Sequence, residues 1–354
     1  MMLIARHAHT KEYMDANLAR LNDEYVCPGC GELVCLKKGK IKIAHYAHKI
    51  LANCDASSEG ELALHLQGKL ALFQYFSKKY DEVKLEHWLS EIQQRPDLMI
   101  RRGDKWTAIE FQCAPITLDQ VRKRMAGYRK LHLQTLWILG ETYQKKRLLA
   151  TTMAKFAVIH NFELKIFFWN YKHNIYYQGW WQIDNGGLVT RKTRVNNQLQ
   201  QLLKIQQSVI LAKPKIREIQ EYLYKQNRNI VGIPWICHAQ YSLPGGLKIP
   251  HWQVAVRIIM VLENKSVSMD EMLQRCIVQD WQQFGCVMVR DVQKLWLYHF
   301  LNDALKANQI EYTNGKFKLA NLVKWFDTYQ DKLEAFREAY FIDSHILSRR
   351  KLSN

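Results

Sequence analysis

Two carboxylates with the spacing of a metal site stand out in residues 95–128. Asp97 opens a short apolar run, and Glu110 lies near the end of the next one, with Gln112 two positions further on. The two runs alternate in polarity around a turn at Gly103, so they predict a β-hairpin that folds the carboxylates toward each other. Carboxylates brought together at a sheet edge repel unless a cation lies between them, and such oxygen ligands suit Mg²⁺.

The flanking sequence predicts the elements that would hold this pair. Thr117 begins a capping box, so a helix should follow the hairpin and carry Arg122, Arg124 and Tyr128 toward DNA. Tyr128 either packs inside that helix or reaches a phosphate. The apolar run at 133–139 predicts the next strand. This order of elements is typical of the α/β core of restriction nucleases.

A second predicted helix, over residues 57–80, precedes the hairpin. Glu61, His65 and Lys69 recur every four residues along the edge of its apolar stripe. Glu61 is either part of a capping box or a third acidic group beside the pair. In the second interpretation, His65 and Lys69 face a phosphate of DNA.

A zinc module is predicted near the amino terminus. Its candidate ligands are two cysteines and two histidines with the spacing C-x2-C-x14-H-x2-H, namely Cys27, Cys30, His45 and His48. Zinc takes four such donors in a tetrahedron, and a Cys-Pro-Gly-Cys knuckle is a strong signal for it. Because the histidine pair is tighter than in common zinc fingers, Cys54 or Cys35 could replace one histidine.

The overall charge predicts a polyanionic partner. The chain of 354 residues has a net charge of +18, and no single lysine-rich tail accounts for it. DNA fits such distributed charge, and a membrane surface is the less specific alternative. No apolar run reaches the ~18 residues that a membrane span requires. Eight scattered cysteines favour a reduced, cytoplasmic protein over a disulfide framework.

Changes in composition predict four segments along the chain. We expect a zinc-binding module at 1–56, a nuclease-like core at 57–155, an aromatic hairpin extension at 156–187, and a basic, mainly helical domain at 188–354. Aromatic residues in the third segment could stack on bases. They more often form hairpin core, because large aromatic side chains mostly serve burial.

Taken together, the motifs resemble the CoiA-like competence proteins of Gram-positive bacteria, within the PD-(D/E)XK nuclease superfamily. The resemblance covers residues 1 to about 140 closely. It rests on Cys27-Pro-Gly-Cys30, His45-Tyr-Ala-His48, Glu61-x3-His65-x3-Lys69, Arg95-Pro-Asp97, Ile109-Glu110-Phe-Gln112, Arg124-x3-Tyr128 and Trp137-Ile-Leu139. It implies a zinc-binding amino-terminal module and a mixed sheet flanked by helices. It also implies a role in processing incoming DNA for recombination during natural transformation, with recombination proteins as further partners.

The mechanism expected from this resemblance is metal-dependent hydrolysis of a phosphodiester. Asp97 and Glu110 would hold one or two Mg²⁺ ions, with Glu61 as a direct or water-mediated ligand. Gln112 stands where the superfamily usually has lysine, which looks typical of the CoiA-like proteins. It would orient the attacking water, but a neutral amide cannot stabilise negative charge as an ammonium does.

Other interpretations of the same residues remain open. Asp97 and Glu110 could be structural carboxylates that pair with Arg95 and Arg101. The protein could also be a non-catalytic DNA-binding or recombination adaptor that retains the nuclease fold. A third possibility is a zinc-ribbon regulator that reads a specific sequence, for which cognate and random DNA should differ clearly in affinity.

Overall fold

A computed structural model describes residues 1–39, 42–49, 54, 63–144, 148–170, 172, 174–183, 187–195 and 198–338. The chain divides into two compact units. The first unit comprises Met1–His160, Lys165–Gln178 and Gln283–Met288, and the second comprises Asn161–Leu164, Gly179–Gln282 and Val289–Asn354.

The first unit begins with a small antiparallel sheet of five strands. These strands are β1 (Ile4–His7), β2 (Tyr13–Asp15), β3 (Tyr25–Val26), β4 (Leu33–Lys37) and β5 (His45–His48), and they lie in the order β2-β1-β3-β4-β5. The Cys-Pro-Gly-Cys knuckle forms the turn between β3 and β4. Gly31 closes this turn with a φ of +76°, a left-handed conformation that favours glycine, and its N–H donates to the carbonyl oxygen of Cys27 at 2.9 Å.

The central sheet of the first unit has seven strands in the order β10-β11-β9-β8-β7-β6, with β12 paired to β11. Its strands are β6 (Glu82–Leu85), β7 (Leu98–Arg102), β8 (Lys105–Gln112), β9 (Gln134–Leu139), β10 (Val158–His160), β11 (Glu163–Asn170) and β12 (Asn174–Gly179). The strands β6, β7 and β8 are antiparallel, whereas β9 runs parallel to both β8 and β11. The mixed sheet expected from the sequence is confirmed. Three strands of the aromatic segment at 156–187, namely β10, β11 and β12, continue this sheet.

Helices pack on both faces of the sheet. The helices of this part of the chain are α1 (Ala63–Ser77), α2 (Leu118–Lys130), α3 (Glu141–Gln144) and α4 (Ala150–Phe156). Leu72 and Phe76 of α1 are buried in one cluster with Ile109, and Tyr128 of α2 is buried in another with Ala108. Because Ala108 and Ile109 are consecutive in β8, they point to opposite faces. Burial of each large apolar side chain contributes roughly 1.5–3 kcal/mol.

The predicted capping box at the start of α2 is present. The Thr117 side chain accepts a hydrogen bond from the backbone N–H of Gln120, and the Gln120 side chain accepts one from the N–H of Thr117 at 3.0 Å. This cap fixes where α2 begins, and α2 makes the crossover that joins the parallel strands β8 and β9.

The described part of the second unit is mainly helical, as expected. Its helices are α5 (Gln198–Ile210), α6 (Pro214–Tyr224), α7 (His251–Asn264), α8 (Met269–Arg275) and α9 (Val289–Lys306). Its short strands are β13 (Trp181–Gln182), β14 (Leu188–Val189), β15 (Leu243–Pro244), β16 (Ile310–Thr313) and β17 (Lys316–Leu319). The dipeptide Asn314-Gly315, a strong sequence signal for a hairpin, forms the turn between β16 and β17, and both residues have positive φ, as a type I′ turn requires. Throughout the ranges given above, every helix is too short or too polar to cross a lipid bilayer.

Candidate active site and candidate metal centre

The register of the β7–β8 hairpin brings the two predicted carboxylates together. Leu98 lies opposite Ile109, and continuing this register by one residue places Asp97 opposite Glu110. The N–H of Phe111 donates to Asp97 Oδ2 at 2.8 Å, which ties the start of β7 to β8. Asp97 is 8% exposed and Glu110 is 2% exposed, so both acidic groups lie inside the protein.

Asp97 is held in its ionised form by groups on α1. His65 Nε2 lies 3.3 Å from Oδ2, and Lys69 Nζ lies 3.5 Å from Oδ1. Burial by itself would raise the pKa of Asp97. The attraction of His65 and Lys69, together with the hydrogen bond from Phe111, outweighs burial and holds this pKa well below its usual range.

Glu110 has a different environment on α2. Arg124 Nη1 lies 2.7 Å from each carboxylate oxygen, and the Tyr128 hydroxyl donates to Oε1. Arg124 and Tyr128 are one helical turn apart, so they reach the carboxylate from the same face of α2. Burial raises the pKa of Glu110 to about 7, and repulsion from Asp97 adds to this, while Arg124 and Tyr128 act in the opposite direction.

A third carboxylate, Glu86, completes the cluster. It follows β6 directly, and its side chain is fully buried. Lys69 Nζ donates to Oε1, while Oε2 accepts the backbone N–H groups of Leu3 at 2.8 Å and Ile4 at 3.2 Å. Arg95 Nη1 lies 3.6 Å from the same oxygen. Although burial would raise the pKa of Glu86, Lys69 and Arg95 lower it below its ordinary value.

The backbone of Glu86 is unusual. Its φ is +48°, a left-handed conformation that costs a non-glycine residue on the order of 1–3 kcal/mol. Its N–H donates to the carbonyl oxygen of Asp97 at 2.9 Å. This conformation persists because both the backbone and the carboxylate of Glu86 are held by hydrogen bonds. Sequence pattern alone does not decide whether Glu86 faces the site or solvent, because neither its backbone conformation nor its partners near the amino terminus leave a local signal.

The contacts of α1 correct the expectation that Lys69 and His65 face a phosphate. Lys69 is fully enclosed between Glu86 and Asp97, so its ammonium cannot reach a ligand from solvent. His65 is also buried and stacks on the ring of Phe111, with centroids 5.7 Å apart. Gly68 of α1 also lies against the Phe111 ring. Glycine allows this contact, because a Cβ at position 68 would overlap the ring.

The other predicted site residues lie in three different settings. Gln112 is buried at the end of β8, and its Nε2 donates to the carbonyl oxygen of Ala114 at 2.8 Å. Arg122 Nε donates to the carbonyl oxygen of Phe284 at 3.0 Å. Glu61 lies outside the described residues.

The alternative pairing considered for the two carboxylates does not form. Arg101 pairs with Glu82 at 3.1 Å, and Arg95 lies beside Glu86. Neither arginine is an ion-pair partner of Asp97 or Glu110 among the described residues.

The oxygen donors of this cluster fit a hard divalent cation. A carboxylate oxygen can accept two hydrogen bonds. Among the described residues, Asp97 Oδ1 has the ammonium of Lys69 as its partner, and Glu110 Oε2 has the guanidinium of Arg124. The Arg124 side chain is 25% exposed, whereas that of Glu110 is 3% exposed.

A separate candidate metal centre lies at the knuckle. One ligand atom from each of Cys27, Cys30, His48 and Cys54 lies within 4.8 Å of all the others. Cys30 Sγ is 3.3 Å from His48 Nε2, and Cys27 Sγ is 3.8 Å from Cys54 Sγ. Zn–S and Zn–N bonds of ordinary length in a tetrahedron place their ligand atoms about 3.5–3.8 Å apart. The four residues thus fit zinc.

Cys54 takes the position that the spacing had assigned to His45. His45 Nδ1 lies 2.8 Å from the carbonyl oxygen of Ile43, and His45 does not belong to the group of four. His45 and His48 are three residues apart in strand β5. Because consecutive residues of a strand point to opposite faces, these two histidines lie on opposite faces. Cys35 in β4 is also outside the group. Burial, with the nearby Cys54 and Cys27, raises the pKa of Cys30 to about 12, and a bound cation would reverse this by stabilising the thiolate.

Comparisons with known proteins agree with this arrangement. A family model described as competence protein CoiA, N-terminal domain, matches residues 7–57. Another, described as competence protein CoiA, nuclease-like domain, matches residues 61–222. Together they cover more than half of the chain. The competence protein CoiA of Bacillus subtilis (strain 168) is 33% identical over 136 residues, which is 38% of this chain and 36% of that relative's length. No solved structure matches the chain.

The zinc ligands can be distinguished by paired substitutions. Cys54→Ser and His48→Ala should each lose bound zinc, because removing one of four ligands opens the tetrahedron. Cys35→Ser and His45→Ala should retain it. Zinc content per purified chain, measured by atomic emission, checks this. A His45→Ala protein without zinc alongside a fully loaded His48→Ala protein would contradict the assignment.

The buried ion pair of Glu86 should contribute strongly to stability. Glu86→Gln leaves the Lys69 ammonium without its principal partner, which should cost about 3–5 kcal/mol. Urea unfolding measures the loss. Glu82→Gln is the matched control at the start of β6, since Glu82 pairs with Lys84 and Arg101 at the surface, and its urea midpoint should hardly change. Equal losses for the two variants would show that the buried pair has no special role.

Proposed function

The chain belongs to the family of CoiA-like competence proteins, and from this membership and the site geometry we propose that it is a metal-dependent deoxyribonuclease. The observation that carries the proposal is the pair of buried carboxylates, Asp97 and Glu110, opposite each other in a nuclease-like domain. Burying an ionised carboxylate is costly unless it is paired with another charge or coordinates a metal ion. Such a pair is the simplest oxygen-donor site for a divalent ion beside DNA.

Asp97 and Glu110 would hold Mg²⁺ through their carboxylate oxygens. When bound, the ion would lower the pKa of a water ligand and neutralise charge on the phosphate. Asp97 is prepared for this role because Lys69 and His65 keep it ionised. Lys69 is therefore a positioning residue that acts through Asp97 and Glu86, and not a contact to DNA.

Arg124 would exchange its partner when the site is loaded. It is bound to both oxygens of Glu110 in this structure, and it is the partly exposed member of the cluster. A carboxylate that binds a cation no longer needs the guanidinium. Arg124 would then turn to the phosphate of the substrate, for which its planar fork of donors is well suited. Gln112, at the end of β8, would orient the attacking water.

The net positive charge and the similarity to a competence protein both support DNA as the substrate. Lys and Arg number 51 against 33 Asp and Glu, and such an excess favours contact with a phosphate backbone that depends on salt and not on sequence. The relative from Bacillus subtilis is a competence protein by name. We assign this chain to the same process, the handling of incoming DNA during transformation. None of its eight cysteines forms a disulfide in the part of the chain that the structure describes, which supports a cytoplasmic location.

A second candidate function is a DNA-binding adaptor without catalysis. It is favoured by one observation, namely that Arg124 and Tyr128 already satisfy Glu110 while Gln112 supplies no charge. In that protein the carboxylates would serve only to hold α1 and α2 against the sheet. The two functions differ in whether Asp97 is needed for chemistry or for structure.

A nuclease assay separates the two candidates. With single- and double-stranded DNA and Mg²⁺, Asp97→Asn should lower the cleavage rate at least about 100-fold, because one of two metal ligands loses its charge. DNA affinity should be unchanged. The control is Asp104→Asn in the turn of the same hairpin, where the side chain is exposed. Wild-type protein that binds DNA but cleaves neither substrate would support the adaptor.

The raised pKa of Glu110 predicts how Mg²⁺ binding depends on pH. Glu110, with a pKa of about 7, is mostly protonated at pH 6 and mostly ionised at pH 8, whereas Asp97 stays ionised throughout. Because only the carboxylate binds the cation, Mg²⁺ affinity should rise about tenfold between about pH 6 and pH 8.

Isothermal titration with Mg²⁺ measures this dependence. Glu110→Gln removes the titrating group and should bind Mg²⁺ weakly at both pH values. A wild-type affinity that does not change with pH would show that Glu110 is not a ligand.

A further inference from the structure

The second unit contains a cavity of about 460 Å³ formed wholly by its own residues. Helix α5, the first turn of α6, the start of α7 and strand β13 contribute to its walls. We propose that this cavity binds a nucleotide through its phosphate. The ligand is either a free nucleotide or the phosphorylated end of a DNA strand, since the two share the same chemistry. The proposal stands whether or not the first unit cleaves DNA.

The charge of the cavity selects an anion. Lys204, Lys213 and Lys248 line it, and of the described residues around it none is Asp or Glu. All three lysines are exposed, so their ammonium groups are solvated and available to a ligand. A concave site with charge of one sign concentrates the field and attracts phosphate.

The start of α6 reinforces this preference. Lys213 is the residue that caps the helix, Pro214 follows at its first position, and Ile216 of the first turn also lines the cavity. Lys213 makes no side-chain cap. Pro214 has no N–H, and the N–H groups of Lys213 and Ile216 donate to the carbonyl oxygens of Ser208 and Lys213, so the helix acts here through its dipole, which is positive at this end. The lysines and the helix end therefore favour the same kind of ligand.

The remaining walls fit the body of a nucleotide. Ile249 and Trp252 provide apolar surface, while Gln182 and Gln201 provide amide groups. Gln201 is 6% exposed, its Nε2 donates to the carbonyl oxygen of Ala239 at 3.1 Å, and its Oε1 has no hydrogen-bond partner among the described residues. A buried acceptor without a partner costs about 1–3 kcal/mol, so a ligand that offers an N–H or O–H to it gains affinity.

The size and mixed lining distinguish a nucleotide from a simple phosphate. Small-ligand sites typically have volumes of about 300–1,000 Å³ with apolar walls and a few polar groups, and the volume here lies within that range. Inorganic phosphate would use the lysines but leave the amide and apolar walls without contacts. We therefore expect a nucleotide to bind more tightly than phosphate alone.

Binding can be measured by isothermal titration of the full chain without added magnesium, so that cleavage does not interfere. The probes are a deoxynucleoside 5′-monophosphate, inorganic phosphate, and one oligonucleotide with and without a 5′-phosphate. The variant Lys204→Glu/Lys213→Glu should weaken nucleotide binding at least tenfold, because two attractive charges become repulsive. Lys225→Glu is the matched control, since Lys225 is an exposed residue at the other end of α6 and outside the cavity.

Each outcome has a definite meaning. Mononucleotide binding that the double variant loses and the control keeps supports a site for free nucleotides. Binding of only the 5′-phosphorylated oligonucleotide, with the same response to the variants, supports a site for a strand end. The proposal is overturned if phosphate binds as tightly as the nucleotide, if no probe binds, or if the control weakens binding as much as the double variant does. Equal binding of the two oligonucleotides without mononucleotide binding would also overturn it, because it would show general attraction to the DNA backbone.

Discussion

The burial of three carboxylates where β6, β7 and β8 meet is the constraint on which the structure of the first unit depends. An ionised carboxylate inside a protein is tolerated only with compensating charge and hydrogen bonds. Asp97 receives these from α1, Glu110 receives them from α2, and Glu86 receives them from α1 and from the amino-terminal strand. The helices are therefore held against the sheet by these ion pairs and hydrogen bonds as well as by apolar packing.

The pKa values of the two central carboxylates, Asp97 and Glu110, shift in opposite directions. Both are buried, so burial alone would raise the pKa of each. At Asp97, His65, Lys69 and a backbone N–H outweigh burial, and its pKa falls; at Glu110, burial and then the charge of Asp97 outweigh Arg124 and Tyr128, and its pKa rises to about 7. Adjacent acidic groups whose pKa values are driven apart are typical of sites that bind metals or transfer protons.

Sequence pattern predicted the local features well and the long-range ones poorly. The hairpin and the capping box at Thr117 follow from residues only a few positions apart, so their signals survive in the sequence. Glu86 was left undecided because its backbone partners lie more than 80 residues away near Leu3. Lys69 was expected at the surface because lysine is almost never fully buried without a partner. Cys54 was only an alternative ligand, since the spacing of cysteines and histidines favoured His45 and His48.

The hydrogen bonds from Leu3 and Ile4 to Glu86 affect how the two matched regions behave when they are produced as separate fragments. The region matched as nuclease-like begins at residue 61, yet two donors that satisfy its innermost carboxylate belong to strand β1 and the residue before it. A fragment that begins between the two matched regions would lack Leu3 and Ile4. The side of Glu86 that they cover would be exposed to water, and so would its ion-pair partner Lys69. The boundary between the regions is thus a boundary of sequence similarity and not of structural independence.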